Sequence, residues 1–142
     1  MKIRILIALF LHINCWFFSQ YRCLLNSGRI ILNKMNLYVH QDETKNRIKS
    51  DSNQVISVSN GEVVKIIKSD SDYSLIIRND KNNFFIYSNL SKTMLKENNK
   101  VDKDQSLGFA NYDEYYASYV IDFQFWKKDE SVKVDLKCTK SD

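Results

Sequence analysis

The chain has 142 residues, 44% of them hydrophobic, with 21 Lys and Arg against 17 Asp and Glu, a formal charge of +4, three glycines and no proline. That length and balance describe one ordinary globular domain and exclude tandem domains, collagen and a disordered polymer. Only two histidines occur, and His12 falls in an apolar N-terminal stretch, so only His40 remains and any mechanism needing two imidazoles in the body of the protein is excluded.

Lys2 and Arg4 give a short positive start, and residues 5–18 are then apolar except for His12 and Asn14. This shape predicts a signal peptide over residues 1–19 and a secreted or periplasmic protein of the cell envelope. The run is shorter than the roughly 20 residues a spanning helix needs, so no membrane span is expected in the mature chain. The alternative is an uncleaved anchor, because Phe17, Phe18 and Ser19 are a poor small-x-small cleavage pattern. Loss of Lys2 and Arg4 lowers the charge to +2, and the remaining lysines are interleaved with acids, as in Lys100, Asp102, Lys103 and Asp104. No basic stripe with regular aromatics emerges, so nucleic acid is not an expected partner. Cleavage also leaves Cys23 and Cys138, one near each end, as one disulfide of an oxidising compartment or as two unpaired thiols. A metal role is disfavoured, since no CxxC is present.

Residues 20–52 form an N-terminal segment in which 29–37 is ambiguous between strand and helix. Beyond it the dominant period is two. Residues 55–58 form a strand, Ser59, Asn60 and Gly61 an Asn-Gly turn, and 62–67 a second strand. The polar stretch 69–72 precedes a strand over 73–78, and 79–83 a strand over 84–87, giving a β-meander. Residues 91–99 have room for a short helical turn, 105–110 resume as strand, and 119–126 with 132–136 form a closing hairpin around Asp129, Glu130 and Ser131. The expected fold class is mainly β, an antiparallel sheet domain over residues 53–138.

The order of these elements carries a family resemblance. The stretch from Asn53 through Asn60 and Gly61 to Val64 resembles the opening of the lysostaphin/LytM-type peptidoglycan endopeptidase domain, where a strand ends in an Asx-Gly turn and a valine-rich strand follows. Phe85-Ile86-Tyr87-Ser88-Asn89-Leu90 is similar to its Tyr-x-His-Leu segment. Val101, Lys103, Gln105, Leu107 and Gly108 resemble its Gly-x-x-Val-x-x-Gly-Gln-x-Ile-Gly element, and Val120-Ile121-Asp122-Phe123-Gln124-Phe125 sits where it carries His-Leu-His-Phe-Glu-Val. The resemblance implies the family's duplicated-hybrid-motif β fold and, in active members, a zinc hydrolase whose metal is held by two histidines and an aspartate, with two further histidines assisting catalysis.

At those positions the chemistry has changed. Asn89 replaces the Tyr-x-His histidine, and Val120 and Asp122 replace both members of His-x-His. Counting back from Val55 puts Asp42 and Asn46 nearest the upstream His-x-x-x-Asp pair, and His40 followed by Thr44 does not restore it. Strand alternation places Val120, Asp122, Gln124 and Trp126 on one face, the ligand-bearing face, without its ligands. Catalytic zinc needs about three protein ligands and an open position, so the expected cofactor set is empty and the domain is expected to be a pseudoenzyme.

Other chemistries lack support. Neither Cys23 nor Cys138 has a local partner histidine, Gly28, Gly61 and Gly108 lie too far apart for a phosphate loop, and Asp113, Glu114 and Asp122 show no informative spacing. Tyr112, Tyr115 and Tyr116 precede the degraded motif, in what the resemblance makes a loop bordering the cleft. They either cover the sheet edge or serve recognition, stacking on sugars or anchoring a protein. The expected function is binding, to peptidoglycan or to an envelope protein such as a hydrolase that it regulates. The alternatives are a zinc metalloendopeptidase with a divergent site and an accessory subunit of an envelope complex.

Overall fold

Alternating apolar and polar side chains make the described chain an all-strand structure. The computed structural model describes residues 21–32 and 42–140; the leader, Cys15 and His40 lie outside them. The strands, in chain order, are β1 (Tyr21–Arg22), β2 (Arg29–Ile30), β3 (Asn46–Ser50), β4 (Gln54–Ile56), β5 (Gly61–Lys68), β6 (Tyr73–Arg78) and β7 (Asn83–Lys92). They continue with β8 (Lys100–Val101), β9 (Ser106–Asp113), β10 (Ser118–Lys127), β11 (Glu130–Val132), β12 (Leu136–Lys137) and β13 (Thr139–Lys140). The principal sheet runs β13-β2-β3-β10-β9-β7-β6-β5-β8, with β11 on β10 and β4 on β9, while β1 and β12 form a separate parallel pair. Apart from the parallel β13–β2 contact, the principal sheet is antiparallel.

The β5–β6–β7 meander has the expected order. Ser69 N–H bonds Asp72 O at 2.8 Å to close its first turn. The second is held by Asn79, whose Oδ1 accepts from the Lys81 and Asn83 N–H groups at 3.1 and 3.0 Å, an Asx turn.

Three local expectations are corrected. The strands flanking Asn60-Gly61 do not pair with each other: β4 pairs β9, and β5 pairs β6 and β8. The glycine serves close approach, since a Cβ at Gly61 would lie 2.6 Å from Ile77 Cγ2 and 2.7 Å from Arg78 O. Residues 91–99 contain no helix, because β7 continues to Lys92 and the chain turns at 96–99, with Lys96 N–H bonded to Asn99 Oδ1 at 2.8 Å. The closing hairpin is tighter than expected: β10 pairs β11 from Lys127↔Glu130, and Leu136 pairs Tyr21 in the small sheet.

Residues ahead of 53 belong to the globular unit. β3 is internal, between β2 and β10, and Leu24 and Leu25 are fully or almost fully buried in the same core as Val55, Phe85, Tyr87, Ile121 and Phe123. The sequence gives little sign of this, because two-residue strands such as β1 and β2 carry no periodicity of their own. One face of the principal sheet supplies most of the core, and the segments around Leu24, Leu25 and Leu136 pack over it. The Cys23–Cys138 disulfide, with Cα atoms 4.9 Å apart, joins these segments.

β10 positions the site because it changes neighbours along its length. Its first half, through Phe123, lies beside β3, with β9 opposite Ser118–Val120; from Asp122 onward β7 is its partner. β7 and β9 pair further back, at Leu90↔Ala110, and so diverge where they meet β10. Gly108 permits that crossing: its φ is +149°, and a Cβ there would lie 2.1 Å from Lys92 O.

Candidate functional site

The fork between β7 and β9 leaves Val120 O without a ladder partner from β7, and Asn89 supplies one. Asn89 adopts φ +72°, a left-handed conformation that Asn tolerates, and its Nδ2 donates to Val120 O at 2.7 Å. Its Oδ1 accepts from Asn111 Nδ2 at 3.2 Å, and Asn111 also donates to Ser71 O at 3.2 Å. The amide that occupies the expected histidine position thus stitches β7, β9 and β10 together.

On β10, Ile121, Phe123 and Phe125 enter the core, while Val120, Asp122, Gln124 and Trp126 face the other way, in agreement with strand alternation. Val120 is only 2% exposed yet lies outside the core cluster. Opposite Asp122 stand Arg47 on β3 and Ser88 on β7, and Ser88 meets Ser74 Oγ at 3.0 Å. Half-buried Ile76, Phe84 and Ile86 extend this cleft face toward Trp126, whose indole Nε1 is buried without a partner among the described residues.

Asp122 is the electrostatic centre of the cleft. Its carboxylate accepts Arg47 Nε–H at 2.8 Å and Nη2–H at 3.0 Å, and Lys45 Nζ lies 3.0 Å from Oδ2. Burial by itself would raise its pKa; the hydrogen bonds from Arg47 and Lys45, together with their charges, outweigh burial and hold it below the usual carboxylate value. The hydrogen bond to Asp122 in turn raises the Arg47 pKa, against burial. Asp42 lies on the same side, where its Oδ2 accepts Gln124 Nε2–H at 2.7 Å and its Oδ1 caps Thr44 N–H at 3.0 Å. Those bonds to Thr44, with Gln124 and Lys45 adding to them, lower its pKa.

Asn46 does not join this group. It pairs with Phe123 on the core side, is 1% exposed, and offers Nδ2 to Val134 O at 3.5 Å while its Oδ1 has no partner among the described residues. The placement of Asn46 in the cleft is therefore corrected by one residue: Arg47 occupies that face. The signal was present in 46–50, where Ile48 alternates with Arg47 and Lys49, but counting from the family spacing does not reveal a change of face. Lys45, Lys49 and Asn111 likewise carry no local signal in the sequence for this face.

The tyrosines divide. Tyr116 borders the cleft beside Arg47, whose pKa it helps to raise, with Lys49 Nζ 5.8 Å from its ring centroid. Tyr115, 87% exposed, meets Tyr116 edge-on at 4.9 Å, and the Asp113 carboxylate accepts both of their backbone N–H groups. Tyr112 instead packs edge-on against Tyr119, whose ring leans on the core, so it lies on the other face of the β9–β10 hairpin.

Zinc, the metal the resemblance implies, does not fit this donor set. Val120 has no donor atom, Asn89 is committed to the fork, and the Asp122 carboxylate is answered by two cations that would repel a divalent ion. Among the described residues no group of three or more His, Cys, Asp or Glu could hold a metal.

Comparison with known proteins agrees with the architecture. The lysostaphin solution structure superposes with a TM-score of 0.64 at 15% identity over 82% of this chain, which spans about half, 52%, of that chain. A structure of the SpoIIQ-SpoIIIAH pore forming complex gives 0.64 at 12% identity, covering 82% of this chain and 91% of that one. A zinc containing peptidase from Vibrio cholerae gives 0.58 at 19% identity over 82% of this chain and 37% of its own. No curated protein matches in sequence. The peptidase family M23 profile matches residues 35–134, from the segment ahead of β3 to the residues after β11, and the chain belongs to that family.

Proposed function

We propose that this protein is an exported M23 module that has lost catalysis and acts by binding in the cell envelope, with a protein partner or peptidoglycan held at the Asp122 cleft and the Tyr115–Tyr116 loop. The observation that carries the reading is the use of Asp122: where a zinc ligand set would need free donors, its carboxylate is occupied by Arg47 and Lys45. The same substitution leaves a recognition surface of cations, amides and half-buried apolar side chains beside an exposed tyrosine, a composition suited to protein or glycopeptide contacts. The Cys23–Cys138 disulfide supports export, since such bonds persist in oxidising compartments. In this reading residues 1–19 are the leader and the remainder forms one globular unit.

A protein partner is favoured over peptidoglycan by the relatives of matching size. Both SpoIIQ structures are complexes with SpoIIIAH, and this chain covers 91% and 96% of those chains. The test is affinity capture of the exported protein from envelope extract beside sedimentation with purified sacculi. The expected result is retention of a defined envelope protein at high salt, weakened in Tyr115→Ala and Tyr116→Ala. Release of peptidoglycan fragments that a chelator abolishes and zinc restores would overturn the non-catalytic reading.

A further inference from the structure

A concavity of about 950 Å³ lies toward the far end of β10 from Asp122. From Asp122 to Lys127 the strand advances about 17 Å at roughly 3.3 Å per residue. Its rim carries Arg78, Lys81, Lys100, Lys103 and Lys127, against two acids, Glu62 and Asp80. Glu62 is answered by an ion pair with Lys100 and by the nearby charge of Arg78. Lys81, Lys103 and Lys127 have no carboxylate within salt-bridge distance among the described residues. The site therefore presents net positive charge with three uncommitted ammonium groups.

Between the charges the lining is mixed, with Ser59, Asn60, Asn79 and Asn83 beside apolar side chains. Tyr21, Val58, Phe125 and Val134 contribute to it, and Tyr21 and Phe125 pack together with ring centroids 6.0 Å apart. A volume of this size suits a compact ligand better than an extended polymer. Lysines around a small concavity bind phosphate as point charges, and the Ser59, Asn60, Asn79 and Asn83 groups among them add hydrogen-bonding partners for its oxygens. The location adds an independent argument. Tyr21 follows Phe18, the last residue of the apolar leader stretch, by three positions, at most about 11 Å of extended chain. Tyr21 is the first described residue, so on the proposed reading of residues 1–19 the leader, before its removal, precedes the fold at this rim.

We propose that the concavity takes the phosphate headgroup of an anionic phospholipid and seats this end of the domain on the membrane, leaving the Asp122 cleft and the tyrosine loop facing away. The inference is independent of what the cleft binds. Basic residues gathered beside a membrane-addressed segment are attracted to anionic leaflets over about a Debye length, so the interaction weakens with salt.

The experiment is amine-acylation footprinting of the full chain read by peptide mass spectrometry. Vesicles of phosphatidylcholine alone are compared with vesicles containing 30% phosphatidylglycerol. The expected result is at least threefold protection of Lys81, Lys103 and Lys127 with the anionic vesicles, reversed by salt, with Lys49 and Lys92 unchanged. A Lys81→Glu/Lys103→Glu/Lys127→Glu variant should bind anionic vesicles at least tenfold more weakly in its leaderless form; if it fails to fold, the wild-type footprint decides alone. Equal labelling in both vesicle types would overturn the proposal. Protection by soluble glycerol 3-phosphate alone, or by an acidic peptide with no response to lipid, would overturn the lipid assignment.

Discussion

Replacing Arg47 with Ala removes both guanidinium hydrogen bonds from Asp122, at 2.8 and 3.0 Å, and leaves Lys45 as the remaining cation on a carboxylate whose side chain is only 10% exposed. Charge-assisted hydrogen bonds contribute about 1.5–3 kcal/mol each. Arg47 is 41% exposed, so water screens part of that, and Lys45 retains another part. The expected cost is about 2–3 kcal/mol. Asp122→Asn should cost less, about 1–2 kcal/mol, because the orphaned charge is then the water-accessible guanidinium. The less buried partner is thus the more damaging to remove. Asp122 has a lowered folded pKa, so its contribution is fully present above the ordinary carboxylate value of 3.8 and is lost as pH falls through the lower folded value. The stability gap between wild type and Asp122→Asn should therefore be largest at neutral pH and close below that range. Urea unfolding at neutral and acid pH, with the disulfide intact, measures both effects. A larger loss in Asp122→Asn than in Arg47→Ala, or a gap independent of pH, would refute this reasoning.

The Cys23–Cys138 bond closes 115 residues, and on a chain-entropy basis Cys23→Ser with Cys138→Ser should destabilise by about 4–5 kcal/mol, read from thermal or urea unfolding. Gly108→Ala sets a Cβ 2.1 Å from Lys92 O at φ +149°, so a loss of about 3 kcal/mol or more is expected, against little change for Ala at exposed Lys92. Tyr115→Ala should weaken capture of the cleft partner by about 1–2 kcal/mol, and Tyr112→Ala, on the other face of the hairpin, much less; equal losses in a binding titration would remove the loop's sidedness.

Much of the framework is legible in the sequence because period-two alternation is strong where strands are long. The residues 119–126 announce both faces of β10, and the β5–β6–β7 meander follows from its polar turns. Asn60-Gly61 misleads because the glycine admits Ile77 and Arg78 rather than turning a hairpin. The positions where the resemblance expects histidine, Asn89, Val120 and Asp122, are readable one by one. Their replacement chemistry is not, since Arg47 reaches Asp122 across 75 residues through a β3–β10 register that no local pattern specifies. The basic concavity is hidden for the same reason. Its cations come from positions between 78 and 127, each set among acids in the sequence and gathered only by the fold.

The central claim is that this M23 domain binds without hydrolysing, because its cleft holds an Arg47–Asp122–Lys45 cluster in place of a zinc centre. The direct measurement is metal content and peptidoglycan turnover of the purified protein after saturation with zinc, beside Val120→His and Asp122→His variants. The account predicts no stoichiometric zinc and no released peptides in any of the three, since one added imidazole still leaves too few donors. One bound zinc per chain in the wild type, with turnover lost to a chelator and regained with zinc, would contradict it.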